Sequence, residues 1–234
     1  MSKVKKLSIV LPVYNEKDTL EELLGKVKDV DLGDVEKEIV IVDDLSTDGS
    51  RDIIKRLQKQ DSALKIILKE ENSGKGFTLK EGFKITTGDY VIVQDADLEY
   101  EPKDYNKLLR ALKEEHVDVV YGSRFSGSYE DMSNLHYVGN KILTLVTNIL
   151  FGVMLTDMET CYKLIPGDFA RSVNIKSPKF NFEPEITAKI LKNGMKIVEV
   201  PISYKSRSHS EGKKITWKYG LAAITTLIRF RFFN

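Results

Sequence analysis

Five short apolar runs alternate with helical patterns through the first half of this 234-residue chain, and no other feature limits its fold as much. Leu7-Ser8-Ile9-Val10-Leu11, Glu38-Ile39-Val40-Ile41-Val42, residues 65–68, residues 90–93 and residues 117–121 read as strands. Between them, residues 17–30 set Leu20, Leu23, Leu24 and Val27 on one helical face. Residues 50–60 do the same with Ile53, Ile54 and Leu57, and residues 74–86 and 102–115 complete the series. Pro102 suits a first helical turn. Strands this apolar, alternating with helices, predict an α/β fold: a mostly parallel sheet flanked by helices on both faces. With 41% hydrophobic residues the chain can fill such a core.

Ligands of such sheets bind beyond the carboxyl ends of the strands. Three polar clusters fall there, at residues 12–16, 43–48 and 95–99. In the third, Asp95-Ala96-Asp97-Leu98-Glu99, the bend at a strand end can bring both aspartates near one ion. Hard carboxylate oxygens suit Mg²⁺ or Mn²⁺, whose natural guest is a diphosphate. In the second cluster, Asp44 is placed to accept hydrogen bonds from a base or a ribose hydroxyl, while Asp48 and Ser50 suit a helix cap. Asp43-Asp44 is also similar to the acidic pair of receiver domains. Here, however, the pair follows the second strand rather than the first, and no lysine stands at an obvious strand end about the right distance downstream.

Asn72-Ser73-Gly74-Lys75-Gly76 lacks the upstream glycine and the following Ser or Thr of a phosphate loop, and reads as a glycine-rich turn into a helix. Arg124 closes a strand, suited either to a phosphate or to a surface ion pair. Arg207 and Lys213 lie in a polar stretch, 206–214, able to close over a bound phosphate. Asp157 or Glu159 can serve as a general base, orient an acceptor, or pair locally. Cys161 reads as a small buried residue.

The second half differs in character. Residues 135–155 and 216–233 are helical patterns too apolar for ordinary surface helices, 156–165 and 197–204 look like strands, and 182–191 looks helical. The longest uncharged runs, 142–156 and 219–228, are too short for a membrane span. A net charge of +1 gives no general attraction for nucleic acid, but after residue 204 seven Lys and Arg side chains face only Glu211, suiting an anionic partner such as phosphate or a membrane surface. A single cysteine and the absence of a signal-peptide pattern favour a cytoplasmic location. The expected organisation is one domain over 1–215, including an interfacial helix at about 135–155, and a C-terminal amphipathic membrane-interface helix over 216–234.

Taken in order, these motifs resemble those of family 2 glycosyltransferases of the GT-A fold, a Rossmann-like parallel sheet. Within that family the chain is similar to the dolichyl- and polyprenyl-phosphate sugar synthases. Leu11-Pro12-Val13-Tyr14-Asn15-Glu16, Val42-Asp43-Asp44 with Asp48-Gly49, Asp95-Ala96-Asp97-Leu98-Glu99, Gly122-Ser123-Arg124 and residues 207–213 carry the likeness. It implies that Pro12, Tyr14, Glu16, Val42 and Asp44 hold base and ribose, and that Asp95 and Ala96 contact the sugar nucleotide. It further implies that Asp97 and Glu99, with Asp95, bind Mg²⁺ or Mn²⁺, and that Arg124, Arg207 and Lys213 hold the donor diphosphate or acceptor phosphate. Asp95, Asp97 and Arg124 would then be the catalytic set. Residues 157–163 depart from the DPxSG-like segment of the dolichol-phosphate mannose synthases.

The activity so implied is inverting, metal-dependent transfer of mannose or glucose from a donor of the GDP-mannose or UDP-glucose type to a polyprenyl or dolichyl phosphate. It would take place on the cytoplasmic face of a membrane. Two alternatives stay open: transfer to a saccharide hydroxyl with Glu159 or Asp157 as base, and a non-catalytic sugar-nucleotide-binding regulator.

Overall fold

The computed structural model describes residues 4–127, 129–130, 134–179, 181–207 and 217–233. The first half alternates as its pattern predicts: β1 (Lys6–Val13), α1 (Leu20–Asp29), β2 (Glu36–Asp43), α2 (Ser50–Gln60), β3 (Lys65–Leu68), α3 (Lys75–Lys84) and β4 (Tyr90–Val93). A single 3₁₀ turn (Pro102–Asp104) leads into α4 (Tyr105–Glu114), followed by β5 (Val119–Ser123). The second half holds β6 (Tyr129–Glu130), α5 (Asn134–Phe151), β7 (Lys163–Pro166), α6 (Gly167–Ser172), α7 (Phe182–Lys192), β8 (Ile197–Pro201), β9 (Tyr204–Lys205) and α8 (Trp217–Phe232).

The main sheet runs in the order β3-β2-β1-β4-β7-β5-β8. Every pairing is parallel except those of β7, which is antiparallel to both β4 and β5. Leu7, Ile9, Val10 and Leu11 of β1 and Val40, Ile41 and Val42 of β2 are fully buried, as strands covered on both faces must be. The register sets Pro12 opposite Val42 and Val13 opposite Asp43, so the first two polar clusters leave the sheet side by side.

Two departures from the sequence pattern have local causes. The strand expected over 156–165 forms only at β7, because side chains capture the backbone before it. Thr160 Oγ1 donates to the Gly122 carbonyl (2.6 Å), and the Cys161 N–H donates to Tyr100 Oη (3.0 Å). The strand expected over 197–204 breaks at Ile202-Ser203, where the Ser203 N–H turns to Asp104 Oδ2 (2.7 Å). Beyond the break, β9 pairs with β6 in a second, two-stranded sheet.

α8 packs against α7 and α5 through Ala223, Leu227 and Phe230. The opposite faces of α5 and α8 are apolar and exposed. Val138, Ile142, Leu145 and Ile149 (73% exposed) recur at the four-three-four spacing of one helical stripe, and Leu221, Ile228 and Phe232 repeat it on α8. Among the described residues, no helix is long and apolar enough to cross a membrane.

The turn into α3 is pressed onto the segment before α7. The Gly76 N–H donates to the Pro178 carbonyl (2.9 Å), and a Cβ at Gly76 would stand 2.0 Å from the Ser177 carbonyl oxygen. Glu185 holds that segment from behind, accepting from the Lys176 and Ser177 N–H groups (2.8 and 2.6 Å). Gly76→Ala should therefore displace this contact and lower unfolding free energy by about 1–3 kcal/mol in denaturant titration, the usual cost of overpacking.

Candidate active site

Each of the three strand-end clusters turns on one non-glycine residue in the left-handed region: Asn15 (φ 58°), Leu45 (φ 61°) and Leu98 (φ 61°). For a leucine this conformation is strained, and such strain gathers at functional sites.

The third cluster is held rigidly at its start. Gln94 is fully buried, and its Oε1 accepts from Tyr105 Oη (2.6 Å) and Tyr162 Oη (2.5 Å). Thr19 Oγ1 donates to the Ala96 carbonyl (2.6 Å) and lies 3.2 Å from Glu16 Oε2, tying the first cluster to the third. Arg207 then draws three carboxylates together. Its Nη1 is 3.0 Å from Glu16 Oε2, its Nη2 is 3.2 Å from Asp97 Oδ2, and its backbone N–H donates to Glu99 Oε1 (2.8 Å). Glu99 Oε2 also accepts from Tyr204 Oη (2.7 Å). Burial, followed by the neighbouring charges of Asp95 and Glu99, pushes the Asp97 carboxyl up to about 8 despite Arg207.

At the end of β2, Asp44 faces inward. Its oxygens accept from the Ser73 N–H (3.0 Å), the Gly74 N–H (2.8 Å) and Lys69 Nζ. Burial alone would raise its pKa, but these bonds hold it below the usual carboxylate range. Lys69 directly follows β3 and is committed to Asp44, Ser73 and Thr78. Asp48 and Ser50 act at the start of α2: Asp48 Oδ1 accepts from the Ser50 N–H (2.9 Å), and Ser50 Oγ accepts from the Glu16 N–H (2.9 Å). Tyr14 is 40% exposed beside this edge, whereas Val42 and Ala96 are buried.

At the end of β5, Arg124 makes not a surface pair but a buried bidentate one. Its Nε and Nη2 each lie 2.7 Å from Asp157, whose Oδ2 also accepts the Arg124 N–H (3.0 Å). The guanidinium stacks on Tyr204 (5.2 Å to the ring centroid), which reaches Glu99. Both Asp157 oxygens are thus engaged. Glu159 differs: its Oε1 is buried without a hydrogen-bond partner among the described residues, and burial pushes its carboxyl up to about 7. Cys161 is buried, as its sequence context suggested.

Residues 12–16, 44, 95–99, 124 and 207 therefore stand at one edge of the sheet. Lys213 lies outside the described residues. Sequence reasoning assigned no role to Lys75, whose Nζ is 2.8 Å from Asp95 Oδ2, nor to Glu183, Lys163 or Tyr204. Lys75 was visible in the Gly-Lys-Gly turn; the others carry no local signal, because only the tertiary fold brings them in.

Among the described residues, no three His, Cys, Asp or Glu side chains are arranged to hold a metal ion by themselves. The residues still fit Mg²⁺ or Mn²⁺. Hard oxygens from Glu16, Asp97 and Glu99 converge on one cation, Arg207, and Asp97 tends to retain a proton in that crowd. Magnesium is commonly held by one or two carboxylates, with substrate phosphates completing its shell.

The Asp97 shift sets a pH dependence. Its folded value, about 8, lies above the ordinary aspartate value of 3.8, so between these pH values the folded protein binds more protons than the unfolded one. This contribution to stability is present at low pH and is lost as pH rises through the window. Without divalent ions, the melting temperature of the wild type should fall from pH 6 to pH 8 by more than that of Asp97→Asn. Added Mn²⁺ should raise the wild-type value more at pH 8 than at pH 6. Separately, Asp157→Asn strips Arg124 of its buried counter-charge and should lower stability by about 3–5 kcal/mol in denaturant titration.

Known proteins place this geometry in context. The family model for glycosyl transferase family 2 matches residues 8–161. The chain is 28% identical over 212 residues to undecaprenyl-phosphate mannosyltransferase of Micrococcus luteus, covering 87% of this chain and 85% of that protein. It is 29% identical over 212 residues to dolichol-phosphate mannosyltransferase of Pyrococcus furiosus, covering 89% of this chain but only 59% of that longer protein. Its fold matches that of glucosyl-3-phosphoglycerate synthase from Mycobacterium tuberculosis, crystallised with Mn²⁺ and UDP, with a TM-score of 0.70 at 18% identity over 97% of this chain and 78% of that one. The sheet is that of the GT-A fold, and the chain belongs to glycosyl transferase family 2.

Proposed function

We propose that this glycosyltransferase moves a hexose, mannose or glucose, from a nucleoside-diphosphate donor to a polyprenyl phosphate while bound peripherally to a membrane. The observation that carries the lipid acceptor is the pair of exposed apolar stripes on α5 and α8, with Arg229 and Arg231 on α8. Apolar side chains beside basic ones suit insertion at an anionic interface. The names of the Micrococcus and Pyrococcus relatives, both polyprenyl-type phosphate mannosyltransferases, support the same acceptor class and favour mannose.

A lipid phosphate is already anionic and can attack the anomeric carbon without a strong base. The chain's task is then positioning and charge stabilisation. Asp97 and Glu99, with Asp95, would hold the divalent ion. Bound there, the ion would neutralise charge developing on the leaving diphosphate. Arg207 Nε, buried without a hydrogen-bond partner among the described residues, is a donor available to a phosphate oxygen. Asp157 fixes Arg124 through Nε and Nη2, orienting the rest of its guanidinium as a rigid phosphate-binding group. Pro12, Tyr14, Glu16, Val42, Asp44 and Ala96 would line the nucleotide end, and Lys213 would join the phosphate contacts.

A second reading, transfer to a saccharide hydroxyl, draws on Glu159. With Asp157 engaged by Arg124, Glu159 is the carboxylate left to act as base, and a value near 7 suits that task.

The test supplies labelled GDP-mannose and UDP-glucose, Mn²⁺ and polyprenyl phosphate, and counts label in the organic phase. Metal-dependent label is expected there, and Asp97→Ala should lower it by at least about a hundredfold. Label on a soluble saccharide with none on lipid would favour the second reading. The double variant Leu145→Glu/Ile149→Glu, at exposed positions, should keep its fold yet lose co-sedimentation with anionic vesicles.

A further inference from the structure

Asp95 opens onto a buried chain of charges. Lys75 Nζ lies 2.8 Å from Asp95 Oδ2 and 3.4 Å from Glu183 Oε1. Lys163 Nζ bonds Glu183 Oε2 and the Thr160 carbonyl. Glu159, next to Thr160, lies within the fields of Lys163 and Glu183. Cys161 brings the same segment to Asp95. Two oxygens in this group, Glu159 Oε1 and Glu183 Oε1, are buried and accept no hydrogen bond from any described residue. Glu183 is only 6% exposed.

Buried carboxylate oxygens rarely go without a donor, because the lost hydration is not recovered. Here two such oxygens belong to one group, which is linked by Lys75 to the aspartate loop. A bound anion would be repelled by Asp95, Glu159 and Glu183. A cation placed between Glu159 and Glu183 would stand against Lys75 and Lys163, which already pair with Asp95 and Glu183. What the group lacks is neutral O–H donors, and a hexose carries several on a compact frame.

We propose that Glu183 and Glu159 read the sugar of the donor: their unbonded oxygens accept hydrogen bonds from hexosyl hydroxyls, and Lys75 and Lys163 are positioning residues that fix the Glu183 carboxylate. This rests on a nucleotide-sugar donor and is independent of the acceptor. Glu183 stands in the first turn of α7, beyond the 8–161 segment matched by the family model. Sugar choice would thus be set partly by the second half of the chain, docked onto the donor site through the Gly76 contact.

The experiment measures binding by calorimetry with Mn²⁺, using GDP-mannose, UDP-glucose, GDP, UDP and monodeoxy-hexose forms of whichever sugar nucleotide binds. Glu183→Gln and Glu159→Gln should each weaken that sugar nucleotide by about ten- to a hundredfold while leaving the bare diphosphate within about twofold. At least one monodeoxy donor should bind the wild type weakly and be indifferent to one of the two substitutions. Equal weakening of sugar nucleotide and bare diphosphate would show a merely structural role and overturn the proposal. So would unchanged binding of both; if Glu159→Gln then loses turnover alone, Glu159 is a base. If Glu183→Gln does not fold, Glu159→Gln and the deoxy series on the wild type decide. A wild type that binds a diphosphate but neither sugar nucleotide would overturn this proposal alone, and one that binds no nucleotide would overturn the donor reading with it.

Discussion

Glu16, Asp97 and Glu99 share one guanidinium at the mouth of the sheet, and the rest of the site is arranged around that crowding. Like charges a few ångströms apart repel strongly once water is excluded. The chain cannot relieve this by letting the loop swing away, because two tyrosines clamp Gln94 and Thr19 fastens Ala96. The remaining outlets are a proton on Asp97 or more positive charge. A divalent ion carried by a diphosphate would supply that charge together with its own counter-anion. On the proposed reading the arrangement is preorganised for such a pair, with Arg207 holding the three carboxylates together.

Topology decides which side chains can join. Parallel strands all leave the sheet at one edge, which explains how residues 13–16, 43–46 and 94–99 converge. β7 is the exception, and its direction matters. Running antiparallel between β4 and β5, it enters the sheet at the edge where they leave it. The approach to β7, residues 157–162, is therefore delivered to the same edge. Asp157 meets Arg124, and Cys161 comes close to Asp95. A seventh parallel strand would have sent this segment to the far side.

How much of this was legible follows from the range of each signal. The strands and helices of the first half are written in local periodicity, and the acidic strand ends could be placed because strand direction follows from alternation. The order of motifs, matched as a set, pointed to the family. What stayed hidden depends on partners distant in sequence. Nothing near Asp44 says that Lys69 and the 73–74 N–H groups fill its oxygens, and nothing near Arg124 names Asp157. Lys75, Lys163 and Glu183 come from three separate elements, so their chain of charges exists only in the fold. The strand expected at 156–165 failed for a related reason: its β-forming residues were overruled by side-chain bonds to Gly122 and Tyr100, neither a sequence neighbour.

The exposed stripes on α5 and α8 bear on how a chain without a described membrane-spanning helix would hold a lipid substrate. Each fully buried large apolar side chain contributes about 1.5–3 kcal/mol. Val138, Ile142, Leu145, Ile149, Leu221, Ile228, Phe232 and Phe233 range from 40% to 73% exposed, so roughly half of that contribution is still to be gained by each. The sum is on the order of 6–12 kcal/mol before the loss of orientational freedom. That is comparable to a single acyl anchor, which binds membranes reversibly. Partition of this strength would concentrate the enzyme where polyprenyl phosphates reside without fixing it there. It would also require the phosphate to rise out of the headgroup layer to reach the sheet edge. Arg231 stacks on Phe151, joining the C-terminal ends of α5 and α8, so a cation sits within the apolar patch itself. On the proposed reading, a lipid phosphate crossing the interface would meet Arg231 first and the cations of the site second.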